Sequence, residues 1–416
     1  MKPITKPLAT HDDVLESLAD ALDIPPSLYE AAVNRYKSVG AWLDRNQSAI
    51  ARFKPEISPQ GSFLLGTVTR PLTDEEEYDV DVVCRLNASK LDFTQEALKQ
   101  LIGHEVKLYA DAHNMTKPVT EKRRCWTLHY ADGAQFHMDI LPALPDAQKY
   151  QFNLINRGFH HIANSPALTK EAIAITDKTD SNYQKLTDEW PQSNPLGYAA
   201  WFRSRMLAQL LERKKLYISE QKIISASVDD IPDYRVKTPL QRAIQLLKRH
   251  KDFMFAQDPD NKPISIIITT LAAHAYKEEP TVSAALRSIL RDMDRYIEYH
   301  CGQAWIANPV NPAENFADKW AEDPTKKDSF FEWLEQVRQD FALYITGSAF
   351  NNLPETLRKR LGADLVDKTL TAVRTDPIAA PAIITSASKK SEVERAHAVA
   401  DQFKSAGNYQ KPWSTQ

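Results

Sequence analysis

Cysteine is scarce. Cys84, Cys125 and Cys301 are the only three in 416 residues, and their spacing fits neither a metal-binding knuckle nor a disulfide framework. Cys84 lies inside an apolar run and reads as a small core residue. Long apolar runs are missing too. The most apolar stretch, residues 264–275, is too short and too rich in Ser and Thr to span a bilayer. The opening Met1-Lys2-Pro3-Ile4-Thr5-Lys6 lacks the apolar segment of a signal peptide. No membrane partner is therefore expected, and a reducing cytoplasm is the expected home. Nor does charge of one sign dominate: 52 Lys and Arg stand against 55 Asp and Glu, a net charge of −3. That balance argues against a constitutive polyanion binder, so no obligatory nucleic-acid partner is expected. Basic character is local, in Lys122-Arg123-Arg124, Arg213-Lys214-Lys215 and Lys248-Arg249-His250-Lys251; the second reads as a solvated helix face.

Hydrophobic residues, at 43%, suffice for a sizeable core, and the length suggests two or three domains. No internal repeat or low-complexity segment interrupts the chain. Residues 10–53 read as two helices parted by Ile24-Pro25-Pro26, the second with an apolar stripe of Tyr29, Ala32, Val33, Tyr36, Val39, Leu43 and Ile50. Strands are expected near 78–86, 105–110, 124–130 and 135–141, with Asp132-Gly133 as a hairpin turn between the last two. After Pro195 the pattern turns helical, over 196–218, 238–256, 263–277, 281–300, 312–320, 328–346 and 351–361. The expected organisation is an α+β catalytic lobe with an N-terminal helix over residues 1–195, a helical lobe over 196–385 and a charged tail over 386–416.

The chemistry concentrates in three places. Asp79 and Asp81 are two residues apart in the strand-like Tyr78-Asp79-Val80-Asp81-Val82-Val83-Cys84. Alternation along a strand puts both carboxylates on one face and Val80 and Val82 on the other. Asp is depleted in strands, and crowded carboxylates need a partner, which a divalent cation supplies. Asp139, in Phe136-His137-Met138-Asp139-Ile140-Leu141, offers a third acid from a neighbouring strand. His137 would share its face and is read as a supporting residue rather than a ligand. Gly61-Ser62, at the start of a short helix, would let a phosphate approach backbone N–H groups closely. Together these describe a site for two-metal nucleotidyl transfer, in which the metals stabilise the attacking and leaving oxygens of an in-line displacement. Lys248, on the helix after Pro239, is a candidate point charge for a triphosphate. Ser265 opens the next apolar helix and reads as an N-cap before it reads as a phosphate ligand.

These motifs resemble a known family. Gln60-Gly61-Ser62-Phe63-Leu64-Leu65-Gly66-Thr67, then Tyr78-Asp79-Val80-Asp81-Val82-Val83, then His137-Met138-Asp139-Ile140-Leu141-Pro142-Ala143 look like the CD-NTases, bacterial relatives of cyclic GMP-AMP synthase in the DNA polymerase β-like superfamily. Downstream, residues 240–255, Pro263-Ile264-Ser265-Ile266-Ile267 and Asn311-Pro312-Ala313-Glu314-Asn315 resemble the helical domain shared with oligoadenylate synthases. The resemblance implies a polymerase β-like lobe with a small mixed sheet, an oligoadenylate-synthase-like helical lobe, and a long N-terminal helix bracing both. It implies template-independent synthesis of a cyclic di- or trinucleotide from ATP, GTP or other NTPs, with two Mg²⁺ ions or Mn²⁺ in their place. It further implies a second messenger that switches on an antiphage effector, and leaves room for a regulatory protein partner. Carried over by position, Asp79, Asp81 and Asp139 hold the metals; Gly61, Ser62, Lys248 and Ser265 hold the donor triphosphate; Asn194 approaches the acceptor base. No Cys/His zinc ribbon like that of the animal DNA sensor is present, so DNA activation is not implied. Some relatives are conjugated through a C-terminal glycine; this chain closes on Gln416, so that regulation is not carried over. The alternatives are a polymerase β-like transferase modifying tRNA 3′ ends or a protein hydroxyl, and a nucleotide- or RNA-binding scaffold without chemistry.

Overall fold

The structure is a computed structural model that describes residues 11–73, 76–130, 136–220, 235–346 and 353–375. The expected Asp132-Gly133 hairpin turn and the charged tail lie outside the described residues. The chain divides into two units, Ile24–Trp201 and the described residues of Met1–Asp23 with Phe202–Asn408. The first helix, α1 (His11–Leu22), belongs to the second unit, where it packs on helices from the C-terminal half. The expected placement of an N-terminal helix with residues up to 195 differs from this division.

The first unit is built on a mixed sheet of seven strands. In chain order its elements are α2 (Pro26–Leu43), β1 (Glu56–Pro59), α3 (Gly61–Leu65), β2 (Tyr78–Arg85), α4 (Gln95–Ala112), β3 (Thr120–Glu121), β4 (Trp126–His129) and β5 (Phe136–Pro145). Then come α5 (Ala147–Asn156), α6 (His160–Ala163), α7 (Pro166–Thr169), β6 (Ile173–Ile175) and β7 (Gln192–Ser193), and α8 (Pro195–Ser204) spans the division between the units. The strand order is β1-β2-β5-β4-β3, with β6 added to β5 and β7 to β6. Among the described strands of this sheet only β2 and β5 run parallel; the other pairs are antiparallel. A parallel pair needs a long crossover, and here it includes α4. That helix starts at Thr94, whose hydroxyl accepts from Ala97 N at 3.0 Å. Its Leu98, Ile102, Val106 and Tyr109 recur at helical spacing and are buried against the sheet core of Val80, Val82, Met138, Ile140, Leu128 and Trp126. The strand expected at 105–110 is therefore the second half of this helix. Its apolar residues are strand-like in type, but Val106, Tyr109 and Ala110 continue the helical stripe.

The second unit is mostly helical. It contains α9 (Leu207–Glu220), α10 (Pro239–Met254), α11 (Ser265–Ala275), α12 (Val282–Asp292), α13 (Lys319–Glu322), α14 (Pro324–Thr346), α15 (Leu353–Leu361) and α16 (Ala363–Thr375). Thr238 caps α10 in a capping box with Gln241, and Pro239 takes the first helical position. On α1, Val14, Leu15, Leu18, Ala19 and Leu22 are buried, and the helix packs on α10, α12 and α16. Two expected helices are shorter. The segment 281–300 is helical only to Asp292 before a 3₁₀ turn; then β8 (Glu298–His300) pairs with β9 (Gln303–Trp305). In 312–320, Asn311–Asn315 is instead β11, paired with β10 (Ala307–Asn308). The Asn315 carboxamide organises this bend, accepting from Ile306 N and Ala317 N and donating to Ala304 O. No helix among the described residues is long and apolar enough to cross a membrane.

Candidate active site

The parallel pairing of β2 with β5 puts Asp79 beside His137 and Asp81 beside Asp139. The antiparallel pairing of β4 with β5 then adds His129 to the first row and Thr127 to the second. Because side chains alternate, all six residues share one face of the sheet, and Val80, Met138 and Leu128 between them face the core. The DxD strand and the lone aspartate of the sequence thus meet at adjacent register positions.

The charges on this face are crowded. Asp81 is pushed up to about 7, first by burial and then by the carboxylates of Asp79 and Asp139. His137 Nε2 lies 3.3 Å from Asp79 Oδ1, and its Nδ1 lies 3.5 Å from Glu77 Oε2. The hydrogen bond to Asp79 holds the imidazole above its usual range. Glu77 is itself gripped by Lys117 at 2.7 Å. Asp139 accepts from Lys122 Nζ at 3.1 and 2.9 Å and from the Thr127 hydroxyl. The neighbouring Cys125 thiol is pushed up to about 12 by burial and by Asp139, and so stays protonated.

These residues fit a divalent cation. Asp79, His137 and Asp139 each bring one ligand atom within 4.8 Å of the others. Asp81 adds a half-buried carboxylate disfavoured in its charged form by its neighbours, the repulsion a bound cation removes. His137, expected only to support, is close enough to coordinate as well.

Gly61 belongs to the same site. Its φ is +59°, and a Cβ there would stand 2.5 Å from Asp81 Oδ2. Only glycine lets the start of α3, with Ser62 next, lie against the carboxylate. Gln60 N, one residue earlier, donates to Asp81 O at 2.9 Å.

Lys248 and Ser265 lie in the second unit, Lys248 buried on α10. The lysine that donates to Ser265 Oγ, at 2.9 Å, is Lys251. Burial lowers the pKa of Lys251, opposed by nearby Asp252. Ser265 is not an N-cap: Ile264 holds that position and makes no side-chain cap, while Ser265 is the first helical residue. Asn194 immediately precedes α8. Its Oδ1 accepts from Gly197 N at 2.9 Å and its Nδ2 donates to Leu168 O, so the buried carboxamide caps α8. Sequence reasoning missed Lys122, Thr127 and Glu77. Lys122 was visible only as a member of a basic cluster.

A family model described as "Cyclic GMP-AMP synthase DncV-like, nucleotidyltransferase domain" matches residues 55–142, the segment that carries Gly61 and all three acids. The chain is 28% identical over 332 residues to the c-di-GMP synthase of Roseivirga ehrenbergii, covering 79% of this chain and 78% of that protein. It is 26% identical over 384 residues to the cyclic dinucleotide synthase CdnG of Bradyrhizobium diazoefficiens, covering 89% and 84%. Among solved structures, the Bradyrhizobium diazoefficiens CdnG in complex with GTP superposes with a TM-score of 0.65 at 24% identity, covering 88% of this chain and 99% of that one. The E. coli MS115-1 CdnC with ATP gives a TM-score of 0.56 at 13% identity, covering 86% and 99%. The DncV-like nucleotidyltransferase domain matched over residues 55–142, with its acid-bearing sheet face, makes the chain a nucleotidyltransferase, and its sequence is similar to those of cyclic dinucleotide synthases.

Proposed function

We propose that this protein joins NTPs into a cyclic di- or trinucleotide, with GTP among its substrates, and that the product is a second messenger acting on an antiphage effector. The observation that carries the reaction is the single face on which Asp79, Asp81 and Asp139 converge beside Gly61. The relatives named as cyclic dinucleotide synthases support the product class. Asp79, Asp81 and Asp139 would hold two Mg²⁺ ions. When bound, these lower the pKa of the attacking hydroxyl and neutralise charge on the phosphates. Asp139 accepts the proton of the sugar hydroxyl; the oxygen bonds to the α-phosphorus, the bond to the β-phosphate oxygen breaks, and pyrophosphate leaves. Gly61 and Ser62 would face the donor triphosphate.

Mass spectrometry of the products formed from all four NTPs with Mg²⁺, beside the Asp79→Ala/Asp81→Ala variant, tests this reading. A cyclic di- or trinucleotide from the unaltered protein alone is expected. A product that persists in the variant would remove the assigned site, and labelled RNA or protein instead of a small product would replace the reading with a macromolecular acceptor.

A further inference from the structure

The turn between β3 and β4 is held by charged contacts from distant residues. Lys122 N donates to Cys125 O at 3.0 Å, closing the turn. From α4, the fully buried Lys99 donates its ammonium to the carbonyls of Lys122 and Arg123. Arg123 makes a bidentate pair with Asp177 at 2.7 and 2.6 Å, and Arg124 joins it at 2.8 Å. Asp177 is in turn fixed by Thr179, whose N–H and hydroxyl both donate to it. Paired guanidinium–carboxylate contacts of this kind fix direction as well as distance. What the clamped turn presents to the acidic face is the Lys122 ammonium, within hydrogen-bonding distance of both oxygens of Asp139.

We propose that Lys122 is a positioning residue that acts through Asp139, a tethered cation that competes with a divalent ion for this carboxylate and so sets the metal affinity of the site. The proposal rests on the reading of Asp79, Asp81 and Asp139 as metal ligands. It goes beyond that reading because it assigns to a lysine of the clamped turn the opposite sign of effect from any ligand: loss of the lysine strengthens metal binding. The ammonium balances charge on the acidic face and orients Asp139 together with the Thr127 hydroxyl. A divalent ion must displace it to reach Asp139.

The test titrates Mn²⁺ into the EDTA-stripped, full-length protein without nucleotide and reads free Mn²⁺ by electron paramagnetic resonance. Lys122→Gln is expected to tighten Mn²⁺ binding roughly tenfold, the order of effect of one half-exposed ammonium on a nearby dication in a high-dielectric setting. Lys122→Met, which keeps an apolar stem, should do the same, and Lys122→Arg should stay within about twofold of the unaltered protein because it keeps the charge. Asp139→Asn should weaken binding. Unchanged or weaker Mn²⁺ binding in both uncharged variants, with Asp139→Asn still weakening it, overturns the role of Lys122 alone. Binding indifferent to Asp139→Asn overturns the metal-ligand reading, and this proposal with it.

Discussion

Gly61→Ala separates two demands that the structure places on one residue. The first is conformational: φ is +59°, where an L side chain costs about 1–2 kcal/mol. The second is steric. The new Cβ would stand 2.5 Å from Asp81 Oδ2, whereas real Cβ atoms do not come within 3.0 Å of such an atom, so the carboxylate retreats by about 0.5 Å or more. Displacement of a reacting group by about 1 Å lowers rates roughly a hundredfold, so a loss of about ten- to a hundredfold in kcat is expected. Gly302→Ala is the matched control: its φ is +81°, and a Cβ there meets nothing within 4 Å. Urea unfolding should show similar destabilisation in the two variants, while pyrophosphate release should fall only in Gly61→Ala. Equal turnover in the two variants would refute the argument that the glycine exists to admit the carboxylate.

Asn194→Ala should lower stability by about 1 kcal/mol, the usual worth of an N-cap, and leave KM and base preference unchanged; a shift in base preference would restore Asn194 to the substrate. Asp177→Asn tests the clamp through pH. Burial raises the Asp177 pKa, but hydrogen bonds from Arg123, Arg124 and Thr179 outweigh it and hold the carboxyl well below the usual range. A depressed carboxyl stabilises the fold above its unfolded value, and that stabilisation is lost as pH falls through the folded value. Urea denaturation should therefore show Asp177→Asn weaker by about 1.5–3 kcal/mol at pH 7, with the gap closing at pH values below about 4.

The acids were legible because a strand imposes its own geometry: two residues of spacing in β2 is enough to put Asp79 and Asp81 on one face. Asp139 was legible as a strand residue, but its place beside Asp81 comes from the β2–β5 register, which no local pattern encodes. Lys122 shows the limit more sharply. Its contact with Asp139 depends on the pairing of Thr127 with Asp139 across β4 and β5 and on clamps from residues as distant in sequence as Lys99 and Asp177. For Asn194 the legible signal was local and structural. The local pattern Asn194-Pro195-Leu196-Gly197 is an N-terminal helix signal, and the base-reading role came from resemblance alone. In residues 105–110 and 312–320, apolar or polar runs of a few residues were given the wrong period because long neighbours, α4 and the Asn315-centred bend, decide the outcome.

The one parallel pairing in the sheet has a consequence for how the protein comes to life on the ribosome. Hairpins can form as soon as their two arms emerge, but β2 finds β5 only after α4, β3 and β4 have been synthesised. Until then Asp79 and Asp81 hang on a strand without the third acid. Chains that stop short of β5 lack the third acid, and non-local pairing of this kind is intrinsically slow to form. The pairing that brings the third acid to Asp81 is also the one that joins β1 and β2 to the rest of the sheet.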